Sequence, residues 1–152
     1  MTSLNNYVLC KKNLKAKMIT KLTHAPVLVL DQESAYDFYV NKLGFKVKLD
    51  LPMPEDGRWL TVYPPDQPDF EIILAPVARS FHTKETTEML KKLVAGGTFG
   101  CGVFTCKDIF ATYEELKAKG VQFSKAPTKE FYGTEAIFKD DSGNWFSLAQ
   151  LL

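Results

Sequence analysis

Few side chains in this sequence have both the chemistry and the setting to act on another molecule. Glu135 is one, lying between Tyr132-Gly133 and the apolar run Ala136-Ile137-Phe138. In a partly apolar cleft its carboxyl pKa would rise, which suits general acid or base work near neutral pH. The alternative is an ion pair with Arg58 or with a lysine at a strand end. Trp59 and Trp145, with Tyr63 and Tyr132, could form a stacking wall for a flat ligand. Such residues more often fill a core, and at least one of the two tryptophans is expected there. Cys10, Cys101 and Cys106 form an odd set without CxxC spacing, so neither a disulfide framework nor a structural zinc site is expected. Cys106 reads as a small buried hydrophobe and His82 as an exposed loop imidazole. The chain contains no GxGxxG, Walker loop, HExxH or GxSxG.

The elements that must position these residues belong to an ordinary globular chain. It has 152 residues, 45% apolar and 24% charged, with a net charge of +1. That balance excludes a wholly disordered chain and gives no global basic excess to attract nucleic acid. No apolar run approaches the ~18 residues of a membrane helix, and thiols without a pairing pattern favour a reducing, cytoplasmic setting. Residues 1–17 carry Lys11, Lys12, Lys15 and Lys17 and no acid. They read as a solvated basic tail, with the folded unit starting near Met18.

The chain then repeats itself. An apolar run from His24 leads to Asp31 and a helical pattern ending at Gly44. A second run from Cys101 leads to Asp108 and a helical pattern ending at Gly120. Each Asp suits a helix N-cap, and each Gly suits the left-handed residue that ends a helix. Strand patterns follow in both halves: Phe45–Leu49 matches Val121–Phe123, Trp59–Tyr63 matches Glu135–Lys139, and Phe70–Leu74 matches Phe146–Gln150. A helix over Lys84–Ala95, stopped by Gly96-Gly97, connects the halves. The expected architecture is α+β: two βαβββ modules, 18–76 and 98–152, joined by a connector over 77–97. They would form a curved mixed sheet around a central cleft with helices outside. Strand alternation aims Trp59, Thr61, Tyr63, Glu135 and Ile137 into that cleft, with Glu71, Ser147 and Cys101 on the same side.

This pattern resembles the vicinal oxygen chelate superfamily, which includes glyoxalase I, bleomycin-resistance proteins and extradiol dioxygenases. The resemblance spans about residues 18–150. It is carried by Leu22-Thr-His24, Asp37-Phe-Tyr39 with Lys42-Leu-Gly-Phe45, Phe70-Glu-Ile-Ile-Leu74, Ala111-Thr-Tyr-Glu-Glu-Leu116, and Ser142-Gly-Asn-Trp-Phe146. Arg58-Trp-Leu-Thr-Val with Gly143-Asn-Trp-Phe is similar to a glyoxalase-like branch rather than to glyoxalase I itself.

Metal-using members take ligands, usually His and Glu, from the first and last strands of each module. On this chain the resemblance implies His24 and Glu71 in the first module. In the second it meets Cys101 where His is usual and Ser147 where Glu is usual. His24, Glu71 and Cys101 could hold one divalent metal (Zn, Ni, Mn or Fe), weakly or not at all, because a neutral Ser147 hydroxyl adds little. Two functions follow. One is a metal-assisted lyase, isomerase or dioxygenase-like enzyme for a substrate with adjacent oxygens, with Glu135 or Glu71 moving the proton. The other is a metal-free protein that binds or sequesters an aromatic or hydrophobic small molecule. Trp59, Thr61, Tyr63, Tyr132 and Ser147 would contact the ligand in either case. Relatives that pair as homodimers imply a second copy as a partner, while the balanced charge and the lack of a long apolar run lead us to expect neither nucleic acid nor a membrane.

Overall fold

The computed structural model describes residues 19–152, and the basic tail lies outside them. The elements run β1 (His24–Val29), α1 (Gln32–Tyr36), a π-helical continuation (Asp37–Lys42), β2 (Lys46–Met53), β3 (Gly57–Tyr63) and β4 (Glu71–Pro76). Then come α2 (Lys84–Ala95), β5 (Gly100–Thr105), α3 (Ile109–Ala118), β6 (Gln122–Glu130), β7 (Gly133–Lys139) and β8 (Trp145–Leu151). This is the expected α+β pair of βαβββ modules. Among the described residues no helix is long and apolar enough to cross a membrane.

The local signals work as their chemistry requires. The Asp31 carboxylate accepts the Ser34 N–H at 2.7 Å, and Asp108 accepts the Ala111 N–H at 3.0 Å. Thr83 caps α2 in the same way. Gly44 and Gly120 take positive φ after the first and third helical segments. The π turn after α1 was not foreseen. There the Leu43 N–H reaches back to the Phe38 carbonyl, five residues away. Widening the turn lets the consecutive residues Phe38 and Tyr39 both be buried.

The strands form two four-stranded mixed sheets, ordered β1-β4-β3-β2 and β5-β8-β7-β6. In each, the first strand runs parallel to the last, and the other pairs are antiparallel. The helix-side faces of both sheets share one core. Val27, Val29, Leu60, Val62, Ile72 and Leu74 come from the first sheet, and Ala136, Phe138, Phe146 and Leu148 from the second. Phe38 and Tyr39 bridge the modules, Phe38 against Phe138 and Tyr39 edge-on to Phe146. Because residues alternate faces, the side chains opposite these buried ones lie on two outer sheet faces. The helices stand on the side away from those faces.

One buried polar turn fixes the modules together. Asp140 Oδ1 accepts the N–H groups of Ser142, Gly143 and Asn144, and its Oδ2 accepts the Tyr39 hydroxyl at 2.8 Å. From the same turn, Asn144 Nδ2 donates to the Leu28 carbonyl and Ser142 Oγ accepts the Leu30 N–H. Burial and the neighbouring Asp140 hold the Tyr39 phenol well above its ordinary pKa. In the connector helix α2, Val94 is buried, whereas Met89 and Leu93 remain exposed.

Candidate functional site

The outer face of the first sheet carries His24, Glu71, Tyr63, Thr61 and Trp59. His24 stands opposite Glu71 in the parallel register of β1 and β4. Its Nε2 is 3.4 Å from Glu71 Oε2, and its Nδ1 meets the Thr23 hydroxyl at 2.8 Å. Glu71 Oε2 is buried with no hydrogen-bond partner. Thr61 pairs with Ile73 between β3 and β4, and that antiparallel register brings Tyr63 beside Glu71. Lys48 places its ammonium 5.5 Å from the centre of the Tyr63 ring. Trp59 is half-buried beside the exposed Leu51. Thr61 is wholly buried and its Oγ1 accepts the Leu49 N–H, so this hydroxyl holds the bulge in β2.

The outer face of the second sheet carries Glu135, Ser147, Tyr132 and Lys125. Ser147 Oγ donates to Glu135 Oε1 at 2.6 Å, and Lys125 Nζ donates to Glu135 Oε2 at 2.9 Å. Lys125 also pairs with Glu130. These contacts overturn the expected rise in the Glu135 pKa. The Ser147 hydrogen bond, then that of Lys125, hold this carboxyl below its ordinary value despite partial burial. Of the two readings of Glu135, pairing with a lysine is the one observed. The phenol of Tyr132 is raised by burial and by its hydrogen bond to Glu135.

Lys125 was missed in the sequence. It lies on the edge strand β6, where register shifts on both sides of it accompany Pro127. A proline within an edge strand was the available signal for such a bulge.

Cys101 does not share the outer face with Val103 and Thr105, contrary to simple alternation. The β5 register slips between Gly100 and Gly102, and the extra residue turns Cys101 against the core. Burial, reinforced by Asp140, pushes its thiol up to about 11. A protonated thiol is a poor metal donor. His24 and Glu71 therefore stand together without Cys101, while Ser147 is engaged with Glu135. Among the described residues no group of three His, Cys, Asp or Glu side chains could hold a metal ion. The donor set implied by the resemblance does not fit a divalent ion within one chain.

Trp145 is partly exposed, and its benzo ring lies on the Gly100 backbone, where a Cβ would clash. Neither tryptophan is a core residue. Cys106 is half-buried against the core, as expected of a small hydrophobe. His82 is not a free loop imidazole: its Nδ1 lies 2.9 Å from the Val77 carbonyl oxygen.

Residues 21–148 match the model of the glyoxalase/bleomycin resistance protein/dioxygenase superfamily. The chain belongs to this superfamily. It is 34% identical over 133 residues to the uncharacterised protein YetH of Bacillus subtilis (strain 168), covering 88% of this chain and 100% of that protein. Among solved structures it is similar to UcmS2, with 47% identity and a TM-score of 0.83 over 87% of this chain and 98% of that one. It is also similar to TnmS3, described as an antibiotic binding protein from Streptomyces sp. CB03234. That match has 28% identity and a TM-score of 0.70 over 90% of this chain and 99% of that one. Superfamily membership leaves open whether such a scaffold binds or catalyses; the side chains must decide.

Proposed function

We propose that this protein binds a small, ring-containing, largely apolar molecule without a metal, in a cleft completed by a second copy of the chain. The observation that carries this reading is the closed Ser147–Glu135–Lys125 system. At the second-module position where a superfamily metal site would take a carboxylate, Ser147 instead donates its proton to a neighbouring carboxylate. Glu135 is in turn neutralised by Lys125, which suits a fixed acceptor surface better than a proton shuttle near neutral pH. The metal-assisted lyase or isomerase reading needs the donor trio that Cys101 leaves incomplete.

The packing supports the second copy. The two modules share one core through their helix-side faces, so each outer face is one wall without its opposite. These walls keep apolar surface in the open: Leu49 and Leu51 on the first sheet, Val103 and Trp145 on the second. Apposing one copy's first-module face with the other's second-module face would enclose a ligand and cover those residues. The likeness to TnmS3, described as antibiotic-binding, is in keeping with a bound organic molecule.

The test is a fluorescence titration of the purified protein with planar aromatic compounds, in buffer containing EDTA. Saturable quenching of Trp59 or Trp145 supports the reading. Affinity that appears only on adding a divalent metal overturns it.

A further inference from the structure

The connector helix α2 keeps an apolar stripe out of the chain's own core. Val94 is buried, while Met89 is 52% exposed and Leu93 44%. The helix is held against rolling to hide them. Its C-terminal end is seated on the turn between β7 and β8, where the Val94 and Ala95 carbonyl oxygens leave no room for a Cβ on Gly143. Met89 and Leu93, one helical turn apart, thus stay together on the open side.

The charges beside this stripe are complementary to themselves. Glu85 and Lys92 are seven residues apart, so a helix places both on the same flank of the Met89–Leu93 stripe. Both are exposed, and among the described residues neither is in an ion pair. Glu88 and Lys91, by contrast, pair with each other at 2.9 Å. The acid stands in the first turn of α2 and the base in the last. Two such helices laid antiparallel, stripe to stripe, bring each Glu85 beside the Lys92 of the other copy. A parallel pair would set like charges level with each other.

Resting on the second copy proposed above, we infer that α2 packs antiparallel on the α2 of that copy, with reciprocal Glu85–Lys92 ion pairs flanking a Met89–Leu93 seam. In a closed dimer a contact of like with like lies on the two-fold axis. α2 runs from the first-module wall to the second-module wall, and both walls meet the other copy in that assembly. Two helices of 12 residues bury less than the ~1,000 Å² of a stable interface. The seam therefore sets how the copies are paired, and the outer faces supply most of the strength.

The experiment measures the dimer dissociation constant of the whole chain and its charge-reversal variants by sedimentation. Glu85→Lys and Lys92→Glu, each alone, set like charges against each other at both ends of the seam. Each should raise the constant roughly tenfold, and by less in about 0.5 M salt. The double variant restores opposite pairing and should return to within about threefold of the unsubstituted protein. Met89→Cys should form a disulfide between copies through the introduced thiols, identified by peptide mapping. Melting curves confirm folding of each variant. Single reversals that leave the constant unchanged overturn this inference and leave the binding reading standing. So does a double variant as weak as the two singles combined, or a Met89→Cys dimer that oxidation does not link. An unsubstituted protein at one chain mass overturns the second copy in that reading and this inference with it.

Discussion

Ser147 on β8 reaches diagonally across to Glu135 on β7, its own register partner being Ile137, and the serine hydroxyl donates to the carboxylate at 2.6 Å. This contact is the largest cause of the low Glu135 pKa. A carboxyl whose folded pKa is depressed contributes stability above its unfolded pKa of about 4.3, and loses it as pH falls through the folded value. Removing the serine hydroxyl brings the folded pKa back towards the ordinary range. We expect Ser147→Ala to be less stable by roughly 1 kcal/mol between pH 5 and 7, with the difference vanishing in strong acid. Denaturation curves from pH 2 to pH 7 measure this.

Tyr39→Phe removes the buried hydroxyl that ties the first module to Asp140 in the second. Asp140 Oδ2 keeps Asn144 Nδ2 as a donor at 2.9 Å, so the carboxylate is not stranded. The expected loss is about 1–2 kcal/mol, or a few degrees in Tm. The phenol pKa is raised, so its stabilising share is complete below about pH 10 and lost as pH rises through the folded value. The melting difference between wild type and Tyr39→Phe should therefore shrink in strong alkali.

Cys101 has a thiol raised to about 11 by burial and by Asp140. It should react slowly with iodoacetamide at pH 7.5, since only the thiolate attacks. Peptide mapping by mass spectrometry reads the labelling of this cysteine alone. Cys101→Ala should leave ligand affinity unchanged, because the side chain packs against the core rather than the outer face.

Gly100 is the seat of the Trp145 ring. Adding a methyl group in Gly100→Ala forces the indole off the strand. In a Trp59→Phe background, where Trp145 is the sole tryptophan and is excited selectively at the red edge of its absorption, its emission should shift to longer wavelength and its quenching by acrylamide should rise.

Val103 is 64% exposed on the outer face of β5. If that wall meets the first-module wall of a second copy, Val103→Lys places a charge in the seam. Sedimentation should show the unsubstituted protein at twice the chain mass and the variant at one chain mass, with ligand affinity lost in parallel.

Much of the fold was legible because its signals are local. Asp31 and Asp108 cap their helices as their spacing indicated, and α2 runs over Lys84–Ala95 as expected. His24 and Glu71 were brought together by the resemblance rather than by strand periodicity, and the parallel register of β1 and β4 puts the two side by side. Counting alternate residues failed where the backbone breaks alternation. The slip at Gly100–Gly102 turned Cys101 inwards, and the irregular run around Pro127 brought Lys125 to Glu135. The Glu135 pKa was misjudged because its sign depends on a lysine ten residues away and a serine twelve away, contacts that strand periodicity does not encode. The packing of the two modules is likewise long-range, decided by Phe38 and Tyr39 meeting Phe138 and Phe146.

The most direct measurement is the affinity for a planar aromatic compound, read by tryptophan quenching, before and after exhaustive EDTA treatment. We expect saturable binding with the same dissociation constant in both samples, because the contacts are supplied by side chains alone. Binding that is lost on chelation and restored by a divalent metal would contradict metal-independent recognition.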